Sequence, residues 1–137
     1  YAASALDVDQ SVLRKDLPIG LVGNICACIG TGIINIDNQI IGHDITTDDL
    51  VYKAITKIPI VVLNENKLGM AEVIRRAKRN KLDIVLYDKH AVRATDYDQY
   101  ENDIKSTKPE EREILGVGII GESKSVKNVT GDFPLLR

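Results

Sequence analysis

The segment that most constrains the fold is the uncharged, largely β-branched run Ile114–Gly121. A continuous apolar run of this length is typical of a strand that is covered on both faces of a sheet. Its letters also read G-x-G-x-x-G, but a dinucleotide-binding loop needs those glycines after a strand and an acidic residue about 20 positions further on. Here the glycines lie inside the run and only 16 residues follow Gly121. We therefore predict a core strand whose glycines let helices pack closely on the sheet.

The rest of the chain alternates between short apolar runs and longer helical patterns. The predicted strands are 2–8, Ile60–Leu63, Ile84–Tyr87 and 114–121, with a short edge strand at Ile40–Ile41, and the predicted helices are 18–33, 47–57, 67–80, one capped by Thr95 or Asp96, and 123–129. Such alternation is typical of an α/β domain with helices on both faces of the sheet. We predict a single domain over residues 1–137, built on a mixed but mostly parallel four-stranded sheet.

The first predicted helix is apolar on nearly every side. A helix of this composition is usually buried all round, so we expect Gly20, Gly23 and Gly30 to be close-packing positions. The two cysteines, Cys26 and Cys28, would then be buried and inert thiols on different sides of the helix.

The residue totals exclude several classes of protein. The 137 residues are 44% hydrophobic and carry a formal charge of −2, which gives no overall attraction to nucleic acid or to an anionic membrane. No run of about 18 apolar residues and no basic-then-apolar leader occurs. Two cysteines make no disulfide framework, so we expect a cytoplasmic location. The chain starts at Tyr1 rather than at methionine, so a few residues are expected to precede it.

Candidate site residues follow the third main strand. Open α/β sheets bind ligands at the carboxyl ends of their strands, and the segment from Asp88 to Thr95 is rich in side chains that can do chemistry. We predict that Asp88 and His90 form an acid/base pair and that Asn24 and Thr95 contact a ligand. Asn24 is a polar residue in an apolar helix, so it either ties the helix to a loop or faces a small cavity.

Two further patterns have both a structural and a functional interpretation. His43 and His90 each precede or follow an aspartate, but without metal-ligand spacing ordinary loop histidines are favoured over a metal site. Arg75, Arg76, Lys78 and Arg79 form a basic helix face. A solvated face is favoured there, although nucleic acid would need only such a local patch.

Three stretches of the sequence resemble one protein family. They are Asp16–Asn24 (DLPIGLVGN), Gly116–Gly121 (GVGIIG) and Val129–Arg137 (VTGDFPLLR), and the chain resembles the DUF2000 family of unknown function over nearly its whole length. That family is similar in fold to type II peptidyl-tRNA hydrolases. The resemblance implies a three-layer α/β/α sandwich around a four-stranded mixed sheet.

The same resemblance bears on activity. Asn24 stands about where those hydrolases carry a glutamine, Gly20 where they carry a lysine, and Ala27 where they carry a histidine. Asp88 matches the first residue of their functional Asp-Ala-Gly segment, and the chain then continues differently. We therefore predict a domain that binds a small ligand without a cofactor. The alternatives are a hydrolase of a peptidyl-tRNA-like or nucleotide ester, and a homodimer built from exposed helices.

Overall fold

The apolar run forms strand β6 (Ile114–Glu122), as predicted, and it lies at an inner position of a four-stranded sheet. The computed structural model describes residues 7–136. Its other strands are β1 (Asp7–Leu13), β2 (Ile45–Thr46), β3 (Val51–Tyr52), β4 (Ile60–Asn64) and β5 (Ile84–Asp88). Its helices are α1 (Ile19–Ile36), α2 (Gly69–Arg79), α3 (Tyr97–Ser106) and α4 (Ser123–Thr130), with three short 3₁₀ turns between elements.

The sheet is mixed, with strand order β4-β1-β6-β5. Strands β1 and β4 pair in parallel, whereas β6 is antiparallel to both β1 and β5. The prediction of a mostly parallel sheet is therefore wrong, since only one of the three neighbouring pairs is parallel. The physical reason is that the last strand enters the middle of the sheet in the reverse direction, between two strands that run the same way.

The two faces of the sheet have separate cores. Helix α1 covers one face through Ile25, Ile29 and Ile33. Helices α2 and α4 cover the other face together with Phe133. The prediction of helices on both faces is confirmed.

The glycines of β6 allow this close packing, as the sequence predicts. A Cβ atom at Gly116 would lie 2.6 Å from the Ile25 side chain, and one at Gly118 would collide with Ile29. At Gly121, on the opposite face, it would lie 2.7 Å from Leu82. Gly116 and Gly118 therefore let α1 pack closely on the sheet, Gly121 allows the same on the other face, and the packing interpretation of the G-x-G-x-x-G pattern is confirmed.

Strand β1 departs from its predicted position. Residues 2–6 of the predicted strand lie outside the described residues, and the loop expected from Gln10 onward is strand as far as Leu13. Polarity misled the prediction, because Asp9 and Ser11 are fully buried in this inner strand.

Helix α1 is not buried all round. Its buried residues are Ile25, Ile29 and Ile33, which follow each other at intervals of four and form one stripe on the sheet. No second layer covers its outer side within the described residues, and Cβ atoms at Gly20, Gly23 and Gly30 would meet nothing within 4 Å. The close-packing prediction for these glycines is wrong, and so is that of a buried Cys28, which is exposed. By length and composition alone α1 could cross a membrane, but core helices of soluble proteins meet the same criterion.

The helix predicted for 47–57 is instead the hairpin β2–β3. Strands β2 and β3 pair antiparallel around a turn in which the Thr47 hydroxyl accepts from the Leu50 amide at 3.1 Å. The side chain of Thr47 thus stabilises a turn rather than a helix start, and the β-branched residues around it favour strands. Ile40 ends a 3₁₀ turn, and Ile41 forms a single bridge to Thr56 in place of an edge strand.

The remaining elements agree with prediction except in burial. Strands β4 and β5 and helices α2 and α4 lie within two residues of their predicted bounds, and Met70, Val73 and Ala77 form the buried stripe of α2. Asp96 caps α3 by accepting from the Gln99 amide. However, no residue of α3 is buried, and Tyr97 is 76% exposed, so α3 packs loosely beside the sheet.

Candidate functional site

The predicted acid/base residues Asp88 and His90 are in contact. Asp88 ends β5, and its side chain accepts from the His90 amide at 2.9 Å, which starts the 3₁₀ turn Lys89–Val92. The same carboxylate oxygen lies 2.7 Å from His90 Nδ1. The Asp88 side chain is 5% exposed and that of His90 36%. A buried carboxylate that holds one imidazole nitrogen leaves the other nitrogen, Nε2, to exchange a proton.

Tyr100 connects this pair to helix α3. The Asp88 backbone N–H donates to the Tyr100 hydroxyl oxygen at 3.3 Å. Burial raises the pKa of Tyr100 above its usual value, so the phenol keeps its proton. Because its oxygen already accepts from the backbone, the Tyr100 O–H remains able to donate to a ligand.

Asn24 is exposed on α1, contrary to the expectation of an amide in a fully buried helix. Its side-chain oxygen accepts from the Tyr87 hydroxyl at 2.8 Å. Tyr87 is buried, and that burial raises the pKa of its phenol. Of the two roles that the sequence left open, the structure shows Asn24 tying α1 to β5.

Thr95 has a local structural role. Its backbone N–H and its hydroxyl both donate to the Gln99 side-chain oxygen, at 2.9 Å and 2.7 Å. These bonds fix the first turn of α3 beside the Asp96 cap. Thr95 is exposed and contacts neither Asp88 nor His90 through a hydrogen bond within residues 7–136.

Two cavities flank the end of β5. The edge cleft, of about 600 Å³, lies between α1, β5 and α3. Its walls include Cys28, Thr31, Gly32, Asn35, Val85, Leu86, Tyr87, Ala91, Ala94, Asp96, Tyr97 and Tyr100. The second cavity, here called the His90 crevice, measures about 990 Å³ and includes Arg14, Lys15, Leu21, Lys89, His90, Arg93, Asp103 and Glu113. Of the four predicted site residues, only His90 lines either cavity.

The aromatic wall of the edge cleft was not predicted as part of a site. The spacing of Tyr97 and Tyr100 predicts only that they share one face of α3, and they stand edge to face with ring centroids 5.8 Å apart. Leu86 and Tyr87 were assigned only to a strand. Their strand position next to Asp88 was visible in the sequence, but the cavity that they line depends on how α1 and α3 pack beside β5.

The basic face of α2 lies away from these cavities. Arg75 and Arg76 both donate to Glu72, and these bonds lower the pKa of Glu72 to about 2. Arg76 also donates to Asp132 and lies over the Phe133 ring. Helix α2 ends shortly before β5 begins, whereas Asp88 ends β5, about 15 Å along the strand. Arg75 and Arg76 therefore stabilise their own face of the fold.

The two histidines lie on different parts of the chain. His43 is in the exposed loop before β2, whereas His90 follows β5. Across residues 7–136, no three or more His, Cys, Asp or Glu side chains are grouped so that they could hold a metal ion.

These features define a mixed α/β sandwich domain with candidate binding cavities at the end of one strand. The model of the family described as "Protein of unknown function (DUF2000)" matches residues 11–137, and the chain belongs to the DUF2000 family. It is also similar to the solved structure of a protein of unknown function, Atu0240, from Agrobacterium tumefaciens str. C58. The two chains are 20% identical, with a TM-score of 0.88 over 96% of this chain and 98% of the other. A comparison with curated proteins found no significant match.

Proposed function

We propose that this domain binds a small organic ligand in the edge cleft. The observation that carries the proposal is the cleft itself, whose volume of about 600 Å³ lies within the range of ligand pockets and whose walls hold three tyrosines. Aromatic walls with a few polar groups are typical of small-molecule sites, because rings supply contact area and hydroxyls fix orientation.

The polar groups of the cleft would orient such a ligand. The Tyr100 O–H is a free donor beside Asp88, and the side chains of Thr31 and Asn35 lie on the α1 wall. Asn24 acts indirectly on the ligand, because its bond to the Tyr87 hydroxyl holds the Tyr87 ring against α1. We therefore assign Asn24 a positioning role and retain Asp88 as the group that holds both Tyr100 and His90.

Filling the cleft with a side chain tests the proposal. A cocktail of aromatic fragments added to ¹⁵N-labelled protein should shift amide resonances of Leu86, Tyr97 and Tyr100. In Thr31→Trp the new indole occupies the cleft, so the shifts should be lost or binding weakened by about tenfold or more. Ala27→Trp is the matched control, since it adds the same ring to α1 one turn away and outside the cleft lining. Equal binding to both variants, or shifts confined to another surface, would contradict the proposal.

A second candidate function is ester hydrolysis in the His90 crevice, which the 2.7 Å contact between Asp88 and His90 favours. In this candidate, Nε2 of His90 takes a proton from water, the water oxygen adds to the ester carbonyl, and the alcohol leaves with that proton. Lys15 and Arg93 line the same crevice and would attract a phosphate-bearing substrate such as a peptidyl-tRNA-like or nucleotide ester.

A turnover assay with peptidyl-tRNA tests this second candidate. His90→Gln should lower the rate by about 10²–10⁴-fold, the usual contribution of a general acid or base. His43→Gln is the control, because it removes the other histidine from an exposed loop and should leave the rate unchanged. Absence of hydrolysis above background by the unmodified protein would rule this candidate out.

The finer fold relationship and the cellular location are also proposals. The order of a strand, a long helix and three further main strands in a four-stranded mixed sheet supports a type II peptidyl-tRNA hydrolase-like fold. The exposed, unpaired Cys28 thiol supports a reducing compartment such as the cytoplasm.

A further inference from the structure

The two edges of the sheet are treated differently by the chain. At the β4 edge, the Asn64 amide donates to the Pro134 carbonyl at 2.8 Å, and the Leu136 amide donates to the Val62 carbonyl at 3.0 Å. The C-terminal segment thus covers the outward backbone groups of β4, which is a common protection of an edge strand. The other edge of the sheet is β5, and the edge cleft lies alongside it.

The backbone direction of β5 follows from its register. The Arg14 amide donates to the Leu115 carbonyl at 3.0 Å, so Leu115 points toward β1. Because backbone groups alternate along a strand, Gly116 and Gly118 point the other way, toward β5. These two glycines pair with Tyr87 and Val85, so those residues bond to β6.

Leu86 therefore turns its N–H and its carbonyl away from the sheet, toward the cleft. Within residues 7–136, neither group has a hydrogen-bond partner, and the residue is 42% exposed. The next outward amide, that of Asp88, is already taken by the Tyr100 hydroxyl. The open part of the edge is thus centred on Leu86 and ends at Tyr100.

We propose that the ligand of the edge cleft is an extended peptide segment that pairs with β5 as an added strand. This inference rests on the proposed binding function of the cleft and names its ligand class. The Leu86 N–H and carbonyl supply main-chain bonds, and side chains on one face of the peptide contact the Tyr97 and Tyr100 rings or α1. Main-chain bonds for affinity and alternate side chains for specificity are the usual features of strand addition.

The charged residues in and beside the cleft favour a basic peptide. Asp96 lines the cleft, and Asp98 and Glu101 lie beside it on α3, whose only basic residue, Lys105, pairs with Glu101. No lysine or arginine is among the lining residues. The peptide is therefore one that carries lysine or arginine beside apolar residues and lacks acidic residues.

A second copy of this chain fits the edge less well. Its own β5 would bring Asp83 and Asp88 toward the acidic residues of α3. In addition, α3 forms the far wall of a cleft of about 600 Å³, which admits one extended segment but not another sheet with its helices. Charge and space therefore both favour a separate basic peptide.

Synthetic peptide pools and two Leu86 variants test this inference. The basic pool has acetylated and amidated peptides of about seven residues, within the common range of strand lengths, with valine alternating with Thr, Ser, Lys or Arg. The acidic pool replaces Lys and Arg by Asp and Glu. The basic pool should shift the Ile84 and Leu86 amide resonances of the ¹⁵N-labelled protein, with a downfield change at Leu86, whereas the acidic pool should not.

The variants separate main-chain pairing from side-chain contact. Leu86→Pro removes the outward N–H and no bond to β6, so it should bind the basic pool at least about tenfold more weakly, a loss of about 1.4 kcal/mol. Leu86→Val keeps the N–H and should bind as the unmodified protein does. If Leu86→Pro does not fold, the inference is tested by the Leu86 amide shift of the unmodified protein and by the difference between the basic and the acidic pool.

Failure of this inference is distinguishable from failure of the binding function. Aromatic fragments that bind in the cleft, with no effect of either peptide pool on Leu86, would overturn the peptide assignment and leave the binding function intact. Equal binding of the basic pool to Leu86→Pro and to the unmodified protein would overturn it as well. If neither fragments nor peptides perturb the cleft, both proposals fail.

Discussion

At the scale of single residues, the most unusual group is Asp9, in the middle of β1. Both of its carboxylate oxygens and the Ser11 hydroxyl are buried without a hydrogen-bond partner within residues 7–136. The two residues lie two apart on β1, so their side chains point to the same face of the sheet. Their partners on β6 are Ile120 and Gly118, which belong to the face covered by α1. Burial raises the pKa of Asp9 to about 6, because no neighbouring charge compensates for the lost solvation.

Asp9→Asn should make the protein more stable at neutral pH. The folded-state pKa of about 6 lies above the ordinary value of 3.8, so the folded state holds the proton more tightly. The protonated Asp9 carboxyl contributes its full share to the free energy of unfolding below pH 3.8. That share is lost as the pH rises through about 6, and above this pH the free energy of unfolding is about 3 kcal/mol lower than at acid pH. Urea unfolding should show Asp9→Asn close to the unmodified protein near pH 4 and more stable by up to about 3 kcal/mol at pH 7. The exposed Asp98→Asn is the control for charge, and a stability gain independent of pH would contradict the account.

The candidate site residues differ in how far the sequence predicts their positions. The proximity of Asp88 and His90 could be predicted, because polar residues directly after an apolar strand lie together at its carboxyl end. Tyr100 and Leu86 could not, because their roles depend on the packing of α3 beside β5 and on the direction of backbone groups. Asp9 and Ser11 misled the prediction, since polar residues in a buried strand resemble a loop.

At the scale of elements, α1 and β6 form the closest contact between layers. Ile25, Ile29 and Ile33 lie over Gly116 and Gly118, so the helix rests directly on the strand backbone. The apolar run predicted β6 and its glycines correctly. The same apolar signal overstated the burial of α1, because composition does not say whether another layer covers the outer side.

Glycine-to-alanine substitutions should have opposite effects in the packed strand β6 and on the uncovered side of α1. Gly118→Ala places a methyl group against Ile29, so it should lower the free energy of unfolding by about 1–3 kcal/mol. Gly30→Ala meets nothing within 4 Å and should raise it by up to about 1 kcal/mol through helix propensity. Denaturant unfolding of both variants measures the difference. A Gly118→Ala protein as stable as the parent would contradict the packing described here.

At the scale of the whole molecule, apolar side chains are exposed on the hairpin β2–β3 and beside it. Ile45, Leu50, Val51 and Tyr52 are each 56% exposed, and Ile55 is 79% exposed. The Gly42 amide, before β2, donates to the Ile55 carbonyl, after β3, at 2.8 Å, so this bond holds the two arms of the hairpin segment together. Exposed apolar side chains of this kind favour self-association through the hairpin, whereas the sequence favours exposed helices for a homodimer contact.

Light scattering tests self-association directly. If the hairpin forms the contact, the unmodified protein should have the mass of a dimer, and the double variant Val51→Lys/Ile55→Lys that of a monomer. Leu68→Lys is the control, because Leu68 is also exposed but lies just before α2. A monomer at high concentration in the unmodified protein would end the homodimer prediction.

The architecture of layers was predictable, whereas the sheet order was not. Alternating strand and helix patterns placed helices on both faces, but the insertion of β6 between β1 and β5 depends on contacts between distant segments. The open β5 edge follows from that order, and so does the cleft beside it. The proposed peptide site therefore depends on a feature that only the assembled sheet contains.

Amide hydrogen exchange along β5 in the free protein tests whether this edge is open. We expect slow exchange at the Val85 and Tyr87 amides, which bond to β6, and fast exchange at the Leu86 amide, which faces the edge cleft. Residue-resolved NMR exchange rates should therefore alternate along the strand. Protection of Leu86 equal to that of its two neighbours would show that the edge is already occupied, and would contradict the open strand on which the proposed peptide site depends.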